Sequence, residues 1–143
     1  MKRGLIVLAA FACGCAAGPR EVVRTDRAPL PIAAYSQGVV DGGWVFVAGQ
    51  GPTDPKTGKT ELADVRTATR QTLENVKAIL EAAGSSLAKV AKVNVYLRDI
   101  NDFPAMNEVY KTYFVVDPPV RTTIQAAALP GGIPVEIDCI ARR

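Results

Sequence analysis

Arg121, Thr123 and Glu136 are the residues whose types and spacing could do chemistry in this chain. The sequence holds no histidine among its 143 residues. That removes His-dependent catalysis, from serine-protease-type triads to His-led metal hydrolysis. What remains is the chemistry of charged and hydroxyl side chains. Arg121–Ala128 and Pro134–Arg142 alternate as strands on either side of Pro130-Gly131-Gly132. In the first, Thr122, Ile124, Ala126 and Ala128 form the more apolar face, so Arg121, Thr123 and Gln125 point the other way. In the second, Val135, Ile137, Cys139 and Ala141 face a core, while Glu136, Asp138 and Ile140 oppose them. Arg121, Thr123 and Glu136 are therefore expected on one sheet face. Periodicity alone favours ordinary exposed strand residues, with Thr suited there by β-propensity, because a lone Arg and Glu coincide easily. A turn centred on Gly131-Gly132 sets Glu136 opposite residue 127. Arg121 and Glu136 would then lie about six residues apart along the ladder, on the order of 20 Å. A site needing both would have to be assembled between subunits.

The elements that must hold these residues follow from pattern. Tyr35–Val40 and Trp44–Ala48 flank Asp41-Gly42-Gly43, a hairpin signal. Trp44, Val45, Phe46 and Val47 read as a strand buried on both faces. Asp54-Pro55-Lys56-Thr57-Gly58 is turn chemistry. Asp64–Ala83 reads as a helix, with Asp64 as N-cap and Gly84 as its stop. Val93, Val95 and Leu97 alternate as a strand, and Pro104–Phe114 opens a second helix with Pro in its first turn. The order β-β-α-β-α-β-β is an α+β arrangement, a mixed sheet with two helices on one face and the other face uncovered. Cys139 falls in an apolar strand row, the setting of a packed thiol, not a reactive one.

Apolar residues make up 48% and charged residues 22%, an ordinary globular balance that excludes a disordered or fibrous chain. Met1-Lys2-Arg3 followed by Gly4–Ala12 has the charged start and short apolar run of a secretory signal. The run is too short to span a bilayer, which needs about 20 residues. It ends in Ala12-Cys13-Gly14-Cys15-Ala16-Ala17, which resembles a bacterial lipoprotein signal with Cys15 as the acylated residue. Cys13 is the second candidate, and cleavage near Ala17 to give a soluble exported protein is the third reading. Residues 1–15 are thus expected to be a signal peptide, 16–28 a tether and 29–143 the domain. The destination is the periplasm, with a membrane held through the lipid. Two of the 17 basic residues, Lys2 and Arg3, lie in this leader, which leaves 15 against 14 acidic ones. Such a balance carries no electrostatic footprint for nucleic acid.

Longer stretches resemble one family. Ala34-Tyr35-Ser36-Gln37-Gly38-Val39, Ala48-Gly49-Gln50-Gly51-Pro52 and Asp54-Pro55-Lys56-Thr57-Gly58-Lys59 are similar to successive signatures of the RidA (YjgF/YER057c/UK114) family. So are Gln71-Thr72-Leu73-Glu74-Asn75-Val76, Asp102-Phe103 with Asn107 and Tyr110, Pro119-Val120-Arg121-Thr122, and Val135-Glu136-Ile137. The resemblance runs in order from about Leu30 to Arg142. It implies a chorismate-mutase-like fold, a homotrimer with sites at subunit interfaces, and no metal or organic cofactor. It further implies hydrolytic deamination of reactive 2-imino or enamine acids, such as 2-aminoacrylate and 2-iminopropanoate, to 2-oxo acids and ammonia.

Carried over by residue, Arg121 would hold the substrate carboxylate through its planar fork. Glu136 would position or deprotonate the attacking water, with Thr123 helping to fix it where relatives often carry Cys or Ser. The Gly49 N–H would donate near the substrate, and Tyr35 and Asn107 would line the pocket. Ala33-Ala34 precede Tyr35 where Gly-Pro is common, Ala48 replaces a frequent Ser, and Gly51 stands where an apolar residue is usual. Val115–Pro119 is shorter than in familiar members. Some members are called endoribonucleases or translation inhibitors; near-zero charge, no histidine and an exported address weigh against that here. A different class of reading is a membrane-tethered trimer that binds a small carboxylate or a partner protein without turnover.

Overall fold

A computed structural model describes residues 18–143; the expected signal segment, with Cys13 and Cys15, lies outside the described residues. The elements run β1 (Glu21–Val23), β2 (Gly38–Asp41), β3 (Trp44–Gln50), α1 (Val65–Ala82), β4 (Val90–Leu97), α2 (Phe103–Tyr113), β5 (Val120–Gln125) and β6 (Val135–Arg142). The hairpin between β2 and β3 turns at Gly42 and Gly43, whose φ angles of 55° and 79° suit the twist of paired strands. Asp64 caps α1 by accepting from the N–H groups of Arg66 and Thr67, and Gly84 ends the helix at φ 77°.

The strands form one mixed sheet in the order β1-β2-β3-β6-β4-β5. Both helices pack on the same face, where Val45, Leu73, Ile79, Val93, Met106 and Ile137 are buried in the core. This is the expected α+β class. The last two strands, however, are not a hairpin. β4 lies between them, antiparallel to β6 and parallel to β5. Pro130–Gly132 forms a 3-10 turn on a crossing loop, with Gly131 and Gly132 at positive φ.

This pairing also corrects the faces. Arg121, Val93 and Cys139 stand in one row across β5, β4 and β6, and Thr123, Val95 and Ile137 in the next. Val93, Val95, Ile137 and Cys139 are all buried under the helices. Arg121 and Thr123 therefore belong to the helix-covered face, and Glu136, in register with Tyr96 and Ile124, belongs to the other. β3 is buried on one face only: Val45 and Val47 are enclosed, while Phe46 is 43% exposed. Residues 18–28, expected as part of a tether, contribute a strand instead. Val23 and Ala28 are buried, and β1 pairs with β2. The buried Gln37 amide fastens this segment, donating to the carbonyls of Thr25, Ala28 and Pro29 and accepting from the Thr25 N–H.

Two half-sites on opposite faces of the sheet

Glu136 owes its position to backbone geometry. Its neighbours Val135 and Ile137 are fully buried in the core, so alternation turns Glu136 outward. The β3–β6 register slips between Val47 and Gln50, a bulge at Ala48-Gly49 that bends the chain toward Glu136. A Cβ on Gly49 would overlap Glu136 Oε1 and stand 2.9 Å from its Cδ. Glycine leaves room there for the carboxylate where it stands, and a larger residue would shift Glu136; the dihedrals make no such demand. Burial raises the Glu136 carboxyl above its ordinary pKa, and the nearby Asp138 charge raises it further. Asp138 is itself fixed, accepting from Asn94 Nδ2 at 2.8 Å and from the Tyr96 hydroxyl at 3.0 Å.

Glu136 lines a cleft of about 710 Å³ together with Leu30, Tyr35, Gly49, Gly51 and Ile133. Its walls are tied from behind. Asn75 Nδ2 on α1 donates to the carbonyls of Gly51 and Thr53, at 3.0 and 2.9 Å. Arg98 donates to the carbonyls of Gly132 and Leu62, at 2.6 and 3.3 Å. The Gln-Asn signature on α1 thus acts as a brace for the loop after β3, with Gln71 Nε2 donating to Asn75 Oδ1.

Arg121 occupies the edge strand β5, beneath α2. Its guanidinium carbon lies 4.3 Å from the centroid of the Tyr110 ring and 5.5 Å from that of Phe103. Such stacking orients a guanidinium while leaving its fork free. Among the described residues no carboxylate comes within ion-pair distance of it. The Tyr110 hydroxyl and Thr123 Oγ1 are also buried without a hydrogen-bond partner. Burial pushes the Tyr110 phenol up to about 12, against the opposing pull of Arg121, so the hydroxyl keeps its proton. Asn107 is half-buried and falls on the α2 stripe of Phe103 and Tyr110, one turn from each. Cys139 behaves as expected: buried and free, its thiol pushed up to about 12 by burial and the Asp138 charge.

The structure therefore brings Tyr35, Gly49 and Glu136 together, and groups Arg121 with Thr123 and beneath the Asn107 face of α2. It does not unite the two groups within one chain. Arg121 and Glu136 lie on opposite faces and two strands apart, which replaces the 20 Å ladder separation as the reason. Sequence reasoning missed Phe103 and Tyr110 as the platform for Arg121. Both residues stand in the family-like stretch without a role, and their seven-residue spacing on one helix face is the signal. It also missed Asp138, whose signal was a second carboxylate two residues along the same strand face.

A two-layer domain of this topology, offering an arginine at one sheet edge and a desolvated carboxylate over a glycine bulge, defines a class of small α+β proteins with solved examples. The chain belongs to the RidA family: the family model described as Endoribonuclease L-PSP matches residues 25–143. It is 52% identical over 122 residues to a RutC family protein of Pyrococcus horikoshii, covering 85% of this chain and 97% of that one. It is 44% identical over 122 residues to rat 2-iminobutanoate/2-iminopropanoate deaminase, covering 85% and 89%. Among solved structures, Escherichia coli TdcF with bound serine superposes with a TM-score of 0.83 at 44% identity, covering 86% of this chain and 98% of that one.

Proposed function

We propose that this protein hydrolyses reactive 2-imino acids and their enamine tautomers to 2-oxo acids and ammonia. The observation that carries this reading is the division of labour between the half-sites. Arg121 is a cation held by aromatic rings and paired with no acid among the described residues, and Glu136 is a carboxylate held partly out of water. The first fits a substrate carboxylate, which its fork can meet with two charge-assisted hydrogen bonds. The second fits a base that takes a proton from water. The water oxygen bonds to the iminium carbon as the C=N π bond opens onto nitrogen. Glu136 returns the proton to that nitrogen, and the C–N bond then breaks, releasing ammonia as the hydroxyl proton leaves and the C=O forms. An iminium carbon is already electrophilic, so orientation and one activated water suffice. The Thr123 hydroxyl and the Gly49 N–H would help fix the water and substrate, with Asn107 and Tyr35 along the walls. No organic cofactor or metal is required by this chemistry.

The reading includes a homotrimer in which Arg121 of one copy faces Glu136 of the next. Support comes from the open sheet face, where Val22, Phe46, Val120 and Ile124 are 43–67% exposed. Rat deaminase is named for this reaction, and TdcF was solved with serine, itself a small carboxylate. Export and acylation at Cys15 belong to the same proposal and rest on residues 1–15 alone. Intact mass of protein taken from membranes tests them, and an unmodified chain beginning near Gly18 would remove the anchor.

The direct test generates a 2-imino acid with an amino-acid oxidase and follows its loss. Wild type accelerates the loss, and Arg121→Ala and Glu136→Ala do not. Saturable binding of 2-oxo acids by folded, trimeric protein without any acceleration would leave a carboxylate-binding module instead.

A further inference from the structure

We infer that the cleft beside Glu136 is shaped for 2-imino acids with bulky apolar side chains, with Gly51 and Ile133 setting its size. The inference deepens the proposed function and rests on it for the identity of the reacting group.

Two glycines, Gly49 and Gly51, stand in the same wall, and neither has a positive φ. Each is small because something else fills the place of its side chain. At Gly49 that is the Glu136 carboxylate. At Gly51 it is the Cδ1 methyl of Ile133, which would lie 2.8 Å from a Cβ there. Ile133 is thus folded back against the backbone, only 9% exposed, and no side chain at position 51 stands in its way. Asn75 pins the Gly51 carbonyl, so the loop cannot move aside to restore the same space around a larger residue.

Most of the remaining lining is apolar, with Gln50, Thr53 and Thr60 as polar exceptions at the end of β3 and on the loop after it. Leu30 is 69% exposed, Ile32 92% and Leu62 46%, all around the same cleft. A volume of about 710 Å³ is in the range that holds drug-sized ligands. A substrate whose side chain is a single methyl leaves most of that apolar surface wet. A leucine- or phenylalanine-derived imine covers it, and each added carbon contributes binding through area removed from water.

Calorimetric titration of the assembled wild-type protein with pyruvate, 4-methyl-2-oxopentanoate and phenylpyruvate tests this without requiring turnover. The two bulky acids bind at least about tenfold more tightly than pyruvate, the discrimination expected of added carbons in an apolar pocket. Gly51→Val, which forces Ile133 into the cleft, lowers that ratio by about tenfold. Should Gly51→Val fail to fold, Ile133→Ala provides the opposite change and raises the preference for phenylpyruvate over 4-methyl-2-oxopentanoate. Equal binding of all three acids by wild type would overturn the inference, as expected if a second copy fills the cleft. Turnover of the matching imines, made by D-amino-acid oxidase from D-alanine, D-leucine and D-phenylalanine, is measured alongside. Tight binding of bulky acids with no turnover upholds the cleft and removes the hydrolase. Turnover with pyruvate bound as tightly as its bulky analogues does the reverse.

Discussion

The edge of the sheet at β5 and its open face at the β3 bulge hold opposite charges by opposite means. Arg121 is kept in place by rings, with Tyr110 at 4.3 Å, and no carboxylate of the described residues pairs with it. Glu136 is kept in place by an absence, the missing Cβ of Gly49, and its charge is opposed by burial and by Asp138. A cation stacked on aromatics stays charged and waits for an anion. A carboxylate with a raised pKa is a better proton acceptor than an ordinary one. The lesson is that an edge-strand cation and a partly desolvated carboxylate are prepared in separate places, and β4 lies between the strands that carry them.

The comparison predicts that losing each half has a different kinetic signature. Glu136→Gln keeps the shape of the open-face cleft and removes the base, so kcat falls by about 10²–10⁴-fold while 2-oxo acid affinity changes little. The same substitution should raise stability slightly at neutral pH. Glu136 binds its proton more tightly when folded, so its contribution is present below the ordinary carboxylate range and is lost as pH rises through its raised pKa. A thermal melt at pH 7 reads this as a higher Tm, the usual relation between an active site and stability.

Gly49→Ala attacks the same half through geometry alone. The added methyl overlaps the carboxylate, and a displacement of about 1 Å costs about 10²-fold in turnover. Retained activity would mean that the carboxylate needs no such seat. On the other half, Arg121→Lys keeps the charge and loses the fork. Affinity for 2-oxo acids should weaken by about tenfold or more, read by calorimetry, with kcat less affected.

Two smaller effects sharpen the contrast. Asp138→Asn removes a negative charge near Glu136, lowers its pKa and moves the acid limb of the kcat/KM profile to lower pH. The limb stays above the ordinary carboxylate range because burial, the larger cause, is untouched. Tyr110→Leu should weaken carboxylate binding a few-fold, whereas Tyr110→Phe keeps the ring and retains most of it. An equal loss in both would assign the effect to the hydroxyl.

Local chemistry was readable, and long-range pairing was not. The Asp41-Gly42-Gly43 turn and the Asp64 cap of α1 each rest on a few neighbouring residues, and both are found where the pattern places them. Pro130-Gly131-Gly132 carries the same kind of turn residues but joins strands that β4 separates. Nothing local distinguishes a turn within a hairpin from one on a crossing loop. The faces of β5 were inverted for a related reason. At an edge strand the helix layer thins out, so Arg121 and Thr123 can sit on the inner face and remain polar, which breaks the rule that apolar means inward. On β6, a central strand, the same rule placed Glu136 correctly. β1 was invisible because three residues in an Arg-containing stretch carry too little pattern. Periodicity put Arg121, Thr123 and Glu136 on one face and the resemblance added Tyr35, Gly49 and Asn107. The structure sorts these six into two groups, Arg121 and Thr123 beneath the Asn107 face of α2, and Tyr35 and Gly49 with Glu136.

The central claim is that Arg121 and Glu136 meet only across two copies of the chain, and mixed assembly of two inactive variants tests it most directly. Arg121→Ala and Glu136→Gln are co-expressed with different tags, and assemblies holding both are isolated and checked by mass. Each variant alone is inactive, while every trimer that holds both, closed as a ring of heterologous interfaces, rebuilds one of its three sites, about a third of the wild-type number. Recovered imine hydrolysis near that level is the expected result. Mixed assemblies that remain as inactive as their parents would contradict the account.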